Sequence, residues 1–133
     1  MSGPIVSFQN VSIVFGRRPD KALALIDRQA SREEIRSETG TTLGVADATL
    51  DVAPGEILVL MGLSGSGKST LIRAVNGLAP VTRGRVLVDT GDGPVDPRDC
   101  GTGQLRTLRR RKVAMVFQQF ALLPWRSVVE NVA

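Results

Sequence analysis

Between Gly62 and Ser69 the chain reads Gly-Leu-Ser-Gly-Ser-Gly-Lys-Ser, and Thr70 follows. Every position of the pattern G-x-x-x-x-G-K-[S/T] is met, and average residue usage puts a chance match in a chain of this length on the order of 1 in 200. The flanks strengthen the assignment. Before the loop, Glu56-Ile57-Leu58-Val59-Leu60-Met61 is a nearly continuous apolar run of the kind found in strands buried on both faces of a parallel sheet. After it, Leu71, Ile72, Val75 and Leu78 recur at helical spacing. Strand, glycine-rich loop and helix stand in the order that a phosphate-binding loop requires.

The chemistry follows from the residue types. Polyphosphate carries several negative charges, and converging backbone N–H groups can surround it only where bulky side chains stay away, which Gly62, Gly65 and Gly67 permit. The helix that opens near Lys68 adds unpaired N–H groups and its dipole. Lys68 supplies a mobile charge for the β and γ phosphates, and the Ser69 hydroxyl is placed to ligate Mg²⁺. The stretch Gly62, Leu63, Ser64, Gly65, Ser66, Gly67, Lys68, Ser69 and Thr70 is therefore assigned to phosphate binding, with ATP and Mg²⁺ as the expected ligands.

With 133 residues the chain has room for one modest domain, not two. The only cysteine is Cys100, and Met1-Ser2-Gly3-Pro4 lacks the blocks of a secretory signal, which points to a reducing, cytoplasmic setting. No apolar stretch approaches the roughly 18 residues needed to span a bilayer, so any membrane association is expected to be peripheral. The sequence contains no histidine, which excludes histidine-based catalysis and metal binding within it. Much of the net charge of +4 sits in Arg106, Arg109, Arg110, Arg111 and Lys112. With no aromatic residues interleaved, this cluster is read as a solvated helix face and not as a nucleic-acid surface.

Elsewhere, Ile5–Phe15 reads as one strand or as a hairpin around Gln9-Asn10, closed by Gly16. Pro19-Asp20 opens a helical stretch, and Ser31 with Glu34 has capping-box spacing for a second short helix ending before Gly40. Strands are expected over Leu43–Val52, Arg85–Val88 and Val113–Phe117, a basic helix over Gln104–Arg111, and a helix from Ser127. The pattern is still running at Ala133, which suggests a fragment.

The order QNVSIVFG, LGVADATLDVAPGEILVLMGLSGSGKST, TRGRVLVD and VAMVFQQFALLPWRSVVENV resembles the N-terminal half of an ABC transporter ATPase subunit, across nearly the whole chain. The segment from Arg18 to Gly44 resembles the insertion of the subgroup that energises import of choline, glycine betaine, proline and related compounds. The resemblance implies an α/β P-loop NTPase fold, with residues 1–133 forming the N-terminal portion of one ABC-type nucleotide-binding domain and a helical insertion at about 18–44. That portion would combine a mixed sheet edge with a parallel core strand, the loop and its helix.

The resemblance further implies that Phe15 stacks on adenine, a contact worth about 1–3 kcal/mol. Gln118 would contact Mg²⁺ and position the attacking water, and Phe120, Leu122, Leu123, Pro124 and Trp125 would meet a transmembrane permease. The implied partners are a second ATPase subunit as a homodimer, the permease and, indirectly, a substrate-binding protein. The implied location is peripheral, on the cytoplasmic face of the inner membrane. The family's signature motif, its Walker B strand with the general base, and its switch histidine are absent. Asp89 lacks the long apolar run and the following acid of a Walker B aspartate and reads as a strand end. Without those groups the chain alone is expected to hydrolyse ATP negligibly. A truncated nucleotide-binding module without ATPase activity is the alternative. A GTPase or small-molecule kinase is disfavoured because no Asn-Lys-x-Asp or Asp-x-x-Gly element occurs.

Overall fold

The computed structural model describes residues 3–118 and 122–132. Strand β1 spans Val6–Phe15, and helices α1 (Pro19–Asp27) and α2 (Arg32–Thr39) follow before β2 (Thr42–Val52) returns beside it. Helix α3 (Lys68–Val75) leads to β3 (Arg83–Asp89) and the short β4 (Pro94–Val95). Helix α4 (Thr102–Thr107) runs on as a π-helical turn over Leu108–Lys112, and α5 covers Val128–Val132. The four strands form one antiparallel sheet in the order β2-β1-β3-β4.

Of the two readings open for Ile5–Phe15, a single strand is the one that forms. Its register against β2 shifts near Asn10 and Asp47, both at positive φ, and again between the pairs Ile13↔Val45 and Val14↔Leu43. The last shift leaves Gly44 as an extra residue on β2, a β-bulge. Its consequence is spatial. Ile13 and Val45 join the main core with Phe8, Val11, Leu71, Ala74, Val86 and Leu108, whereas Val14 and Leu43 join a second core with Ala22, Leu25, Ile26 and Ile35. One sheet thus carries α3 through the first cluster and the α1–α2 pair through the second.

The α2 start is set locally: Ser31 Oγ accepts from the Glu34 N–H at 3.2 Å, and Glu34 Oε2 accepts from the Ser31 N–H at 3.1 Å. Arg83 joins α1 to β3 by donating to both carboxylate oxygens of Asp27, at 3.0 and 2.8 Å, and to Asp47 at 3.2 Å. Ala53-Pro54-Gly55-Glu56 makes a type II-like turn, closed by Glu56 N–H to Ala53 O at 3.1 Å, with Gly55 at φ +76°.

Two expected strands do not form. Residues 56–61 and 113–117 belong to no helix and no ladder. Period-two alternation survives in the first segment: Leu60 packs against the main core, whereas Ile57, Val59 and Met61 are 70–90% exposed. The two segments flank an apolar cleft of about 540 Å³ that Phe8, Leu50, Ile72 and Val75 also line. The apolar run favours an extended, sheet-like backbone, but a ladder also needs a hydrogen-bonding neighbour on at least one side, and among the described residues neither segment pairs with one. The basic helix expected over Gln104–Arg111 begins two residues earlier and widens into the π-helical turn.

Candidate nucleotide site

The glycine-rich loop leaves the apolar run at Gly62 and enters α3 at Lys68. Gly67 occupies the N-cap position of α3 and offers no side-chain cap, so the first-turn N–H groups remain available to an anion. At φ +99°, Gly67 also packs so tightly on the Gly44 bulge that a Cβ there would lie 2.2 Å from Gly44 O. Gly44 in turn lies under the Phe15 ring and against Thr70: a Cβ on it would meet Phe15 Cε2 at 2.9 Å and Thr70 Cγ2 at 3.1 Å. Bulge, ring and loop therefore form one contiguous wall.

That wall surrounds a cavity of about 540 Å³ lined by Phe15, Thr42, Leu43, Gly44, Ser64, Gly65, Gly67, Lys68, Ser69, Thr70 and Gln118. Phe15, 103 residues from Gln118 in sequence, shares this cavity with it and is 43% exposed, as a stacking platform must be. Of the loop residues assigned from sequence, Gly62, Leu63 and Ser66 do not line it. The Lys68 ammonium donates to Gly62 O and Leu63 O at 2.7 Å and to Ser66 Oγ at 3.0 Å, which draws the loop around its own cation. Ser69 and Gln118 bring hydroxyl and amide oxygens to the same cavity, hard donors of the kind Mg²⁺ takes. Among the described residues, no group of three His, Cys, Asp or Glu side chains could hold a metal ion.

Sequence reading missed Thr42, Leu43 and Gly44. Their one signal is a glycine inside a β-favouring stretch, which marks a bulge or a close backbone approach. Leu122 and Trp125 are 66% and 76% exposed, Pro124 is exposed and Leu123 is half-buried; Phe120 lies outside the described residues. Asn131 braces this segment, donating to Leu123 O, Arg126 O and Ser127 O and accepting from the Leu123 N–H. The basic residues from Arg106 to Lys112 are exposed and make no ion pair among the described residues. No helix of the described residues is long and apolar enough to cross a membrane.

A sheet flanked by a glycine-rich loop that caps a helix, with lysine and serine at the loop's end, defines a P-loop nucleotide-binding domain. Comparison with known proteins is more specific. The ABC transporter family profile matches residues 45–133, and the chain belongs to that family. Its fold is that of an ABC nucleotide-binding domain. It superposes on a dimeric ATP-binding cassette in a post-hydrolysis state bound to ADP and Pi (TM-score 0.66, 28% identity) and on the dimeric structure of a bacterial ABC transporter cassette (TM-score 0.67, 27% identity). Each match covers 96% of this chain and 44% of the other.

Among curated relatives, the glycine betaine/proline betaine transport system ATP-binding protein ProV of Escherichia coli is 46% identical over 128 residues, 96% of this chain and 31% of ProV. The glycine betaine transport ATP-binding protein OpuAA of Bacillus subtilis is 44% identical over 95% of this chain and 29% of its own length. The trimethylamine N-oxide transport system ATP-binding protein TmoW of Ruegeria pomeroyi is 46% identical over the whole chain and 38% of its own length. The chain thus spans about a third of the relatives it matches.

Proposed function

We propose that this chain is the N-terminal part of the ATP-binding subunit of an ABC importer, which couples ATP binding and hydrolysis to uptake of a quaternary amine such as choline or glycine betaine. The observation that carries the substrate class is where the similarity reaches. The family profile begins at residue 45, yet the betaine and trimethylamine N-oxide transport relatives align over 126–133 residues and so include most of the segment holding α1 and α2. By contrast, the phosphate-import ATP-binding protein PhnC of Mycolicibacterium smegmatis, at 50% identity, aligns over only 99 residues. On this reading residues 1–133 are one portion of a single nucleotide-binding domain, and the helices at about 18–44 are its insertion.

In the site, Phe15 offers its ring to adenine, the loop amides from Ser64 to Ser69 surround the phosphates, and Lys68 places its charge against them. Ser69 and Gln118 would hold Mg²⁺, which when bound offsets phosphate charge. Gln118 also has the amide needed to orient water. The general base of phosphoryl transfer is not among these 133 residues, so hydrolysis by the chain alone is expected near background. The exposed Leu122, Pro124 and Trp125, with the half-buried Leu123 between them, suit a permease contact, with Phe120 assigned to it from sequence. The assembled protein would be a homodimer on the cytoplasmic face of the membrane beneath that permease, receiving substrate indirectly from a binding protein.

Mg-ATP binding by the chain tests this. Wild type is expected to bind saturably, and Lys68→Ala and Phe15→Ala are each expected to bind more weakly, the latter by roughly 5- to 150-fold for a lost stacking contact. A folded wild type that binds no nucleotide would sink the proposal.

A further inference from the structure

Among the described residues, one side chain of the α1–α2 pair hydrogen-bonds to the phosphate loop. Arg32 is the first residue of α2 after the Ser31 cap, and its backbone is held by the Ser31–Glu34 capping box. Three residues on, Ile35 is completely buried among Ala22, Leu25, Ile26, Val14 and Leu43, which pins the helix to the sheet. From that anchored start the guanidinium reaches out to three backbone carbonyls. Nη1 donates to Leu43 O, and Nη2 donates to Ser66 O at 3.0 Å and to Gly44 O at 3.4 Å. Arg32 pairs with no carboxylate among the described residues, so its charge is spent on the bulge and the loop alone.

Peptide geometry gives the Ser66 contact a consequence. Ser66 C=O and Gly67 N–H belong to one planar peptide unit, and in a trans peptide the two groups point in opposite directions. A carbonyl tied outward to Arg32 therefore keeps the Gly67 N–H turned the other way. Gly67 lines the cavity and caps α3, and its conformation is one that only glycine adopts easily, so the loop backbone by itself would permit the peptide to rotate. A planar fork with several fixed donors is suited to grip carbonyls of a strand and of a loop at once, as an ammonium is not.

We propose that Arg32 is a positioning residue for the nucleotide phosphates, by which the α1–α2 insertion sets the orientation of the Ser66–Gly67 peptide. The inference rests on the nucleotide-site reading above. It gives the insertion a role at the phosphate loop: any displacement of α2 relative to β2 is transmitted to Gly67 through one guanidinium.

The test uses the full 133-residue chain as wild type, Arg32→Met and Arg32→Lys. Three quantities are measured: the Mg-ATP dissociation constant, the urea midpoint without ligand, and amide exchange of the segment 62–70 without ligand. Arg32→Met is expected to weaken Mg-ATP about tenfold, the size of one hydrogen bond to a charged group, and to speed exchange in the loop. Arg32→Lys, with the charge kept and the fork lost, is expected to recover less than half of that loss on a logarithmic scale. A purely structural role would lower the urea midpoint and leave the affinity of the folded protein unchanged. Affinity within twofold of wild type in folded Arg32→Met, full rescue by Arg32→Lys, or unchanged loop exchange would each overturn the proposal. If Arg32→Met does not fold, Arg32→Lys is compared with wild type directly, and affinity within twofold of wild type overturns the proposal. Absence of Mg-ATP binding by folded wild type would instead overturn the nucleotide-site reading, and this inference with it.

Discussion

Alanine at two glycines of the same loop separates dihedral strain from steric clash. Gly65 and Gly67 both sit at positive φ, +80° and +99°. An L-residue in the left-handed region costs about 1–2 kcal/mol, so both substitutions carry that term. They differ in space. A Cβ on Gly65 meets nothing within 4 Å, whereas one on Gly67 would lie 2.2 Å from Gly44 O and 3.3 Å from Val45 Cγ2. Because the obstacle is β2 backbone, Gly67→Ala must push the bulge or the loop aside, an overpacking cost of about 1–3 kcal/mol. The expected totals are about 1–2 kcal/mol for Gly65→Ala and about 2–5 kcal/mol for Gly67→Ala. For a urea dependence of about 2 kcal/mol per molar, the middle of that difference separates the two midpoints by roughly 1 M. Urea unfolding followed by circular dichroism measures both. Equal midpoints, or a more stable Gly67→Ala, would refute the claim that the loop is wedged against Gly44.

The insertion core and the Arg83 latch give two further expectations. Ile35→Ala removes a completely buried side chain from the second cluster and is expected to cost about 2–5 kcal/mol in urea unfolding. The Arg83 guanidinium beside Asp27 holds that carboxyl below the usual carboxylate range. Its folded pKa is the depressed one, so the stabilisation is present above the ordinary aspartate value of about 3.9 and is lost as the pH falls through the lower folded value. Asp27→Asn should therefore lower the midpoint slightly at neutral pH and flatten its decline below about pH 4. Both partners are substantially exposed, so the effect is expected to be small and to shrink with added salt.

Local sequence was sufficient wherever the determinant was local. The pattern from Gly62 to Ser69 defines a loop and helix start through neighbouring residues. Ser31 and Glu34 close their capping box three residues apart, and Pro54-Gly55 makes its turn through the dihedrals of those two residues. The assignments of Phe15 and Gln118 came from family resemblance, and the fold places both at the cavity the loop lines. Local pattern failed at Glu56–Met61 and Val113–Phe117. There the residues favour an extended backbone, but pairing depends on what lies alongside.

Local spacing thus determined a glycine-rich loop that opens a helix and a capped α2, because each is encoded within a few consecutive residues, whereas the α/β fold was read from family resemblance. Only the tertiary structure decided that Gly44 bulges out of β2 against Gly67 and that Phe15 covers it. It alone decided that Arg32 crosses 34 residues of sequence to hold Ser66 O. These are contacts between segments remote along the chain. The register of an antiparallel pair and the packing of a helix pair bring them together, and no short window of sequence contains both sides.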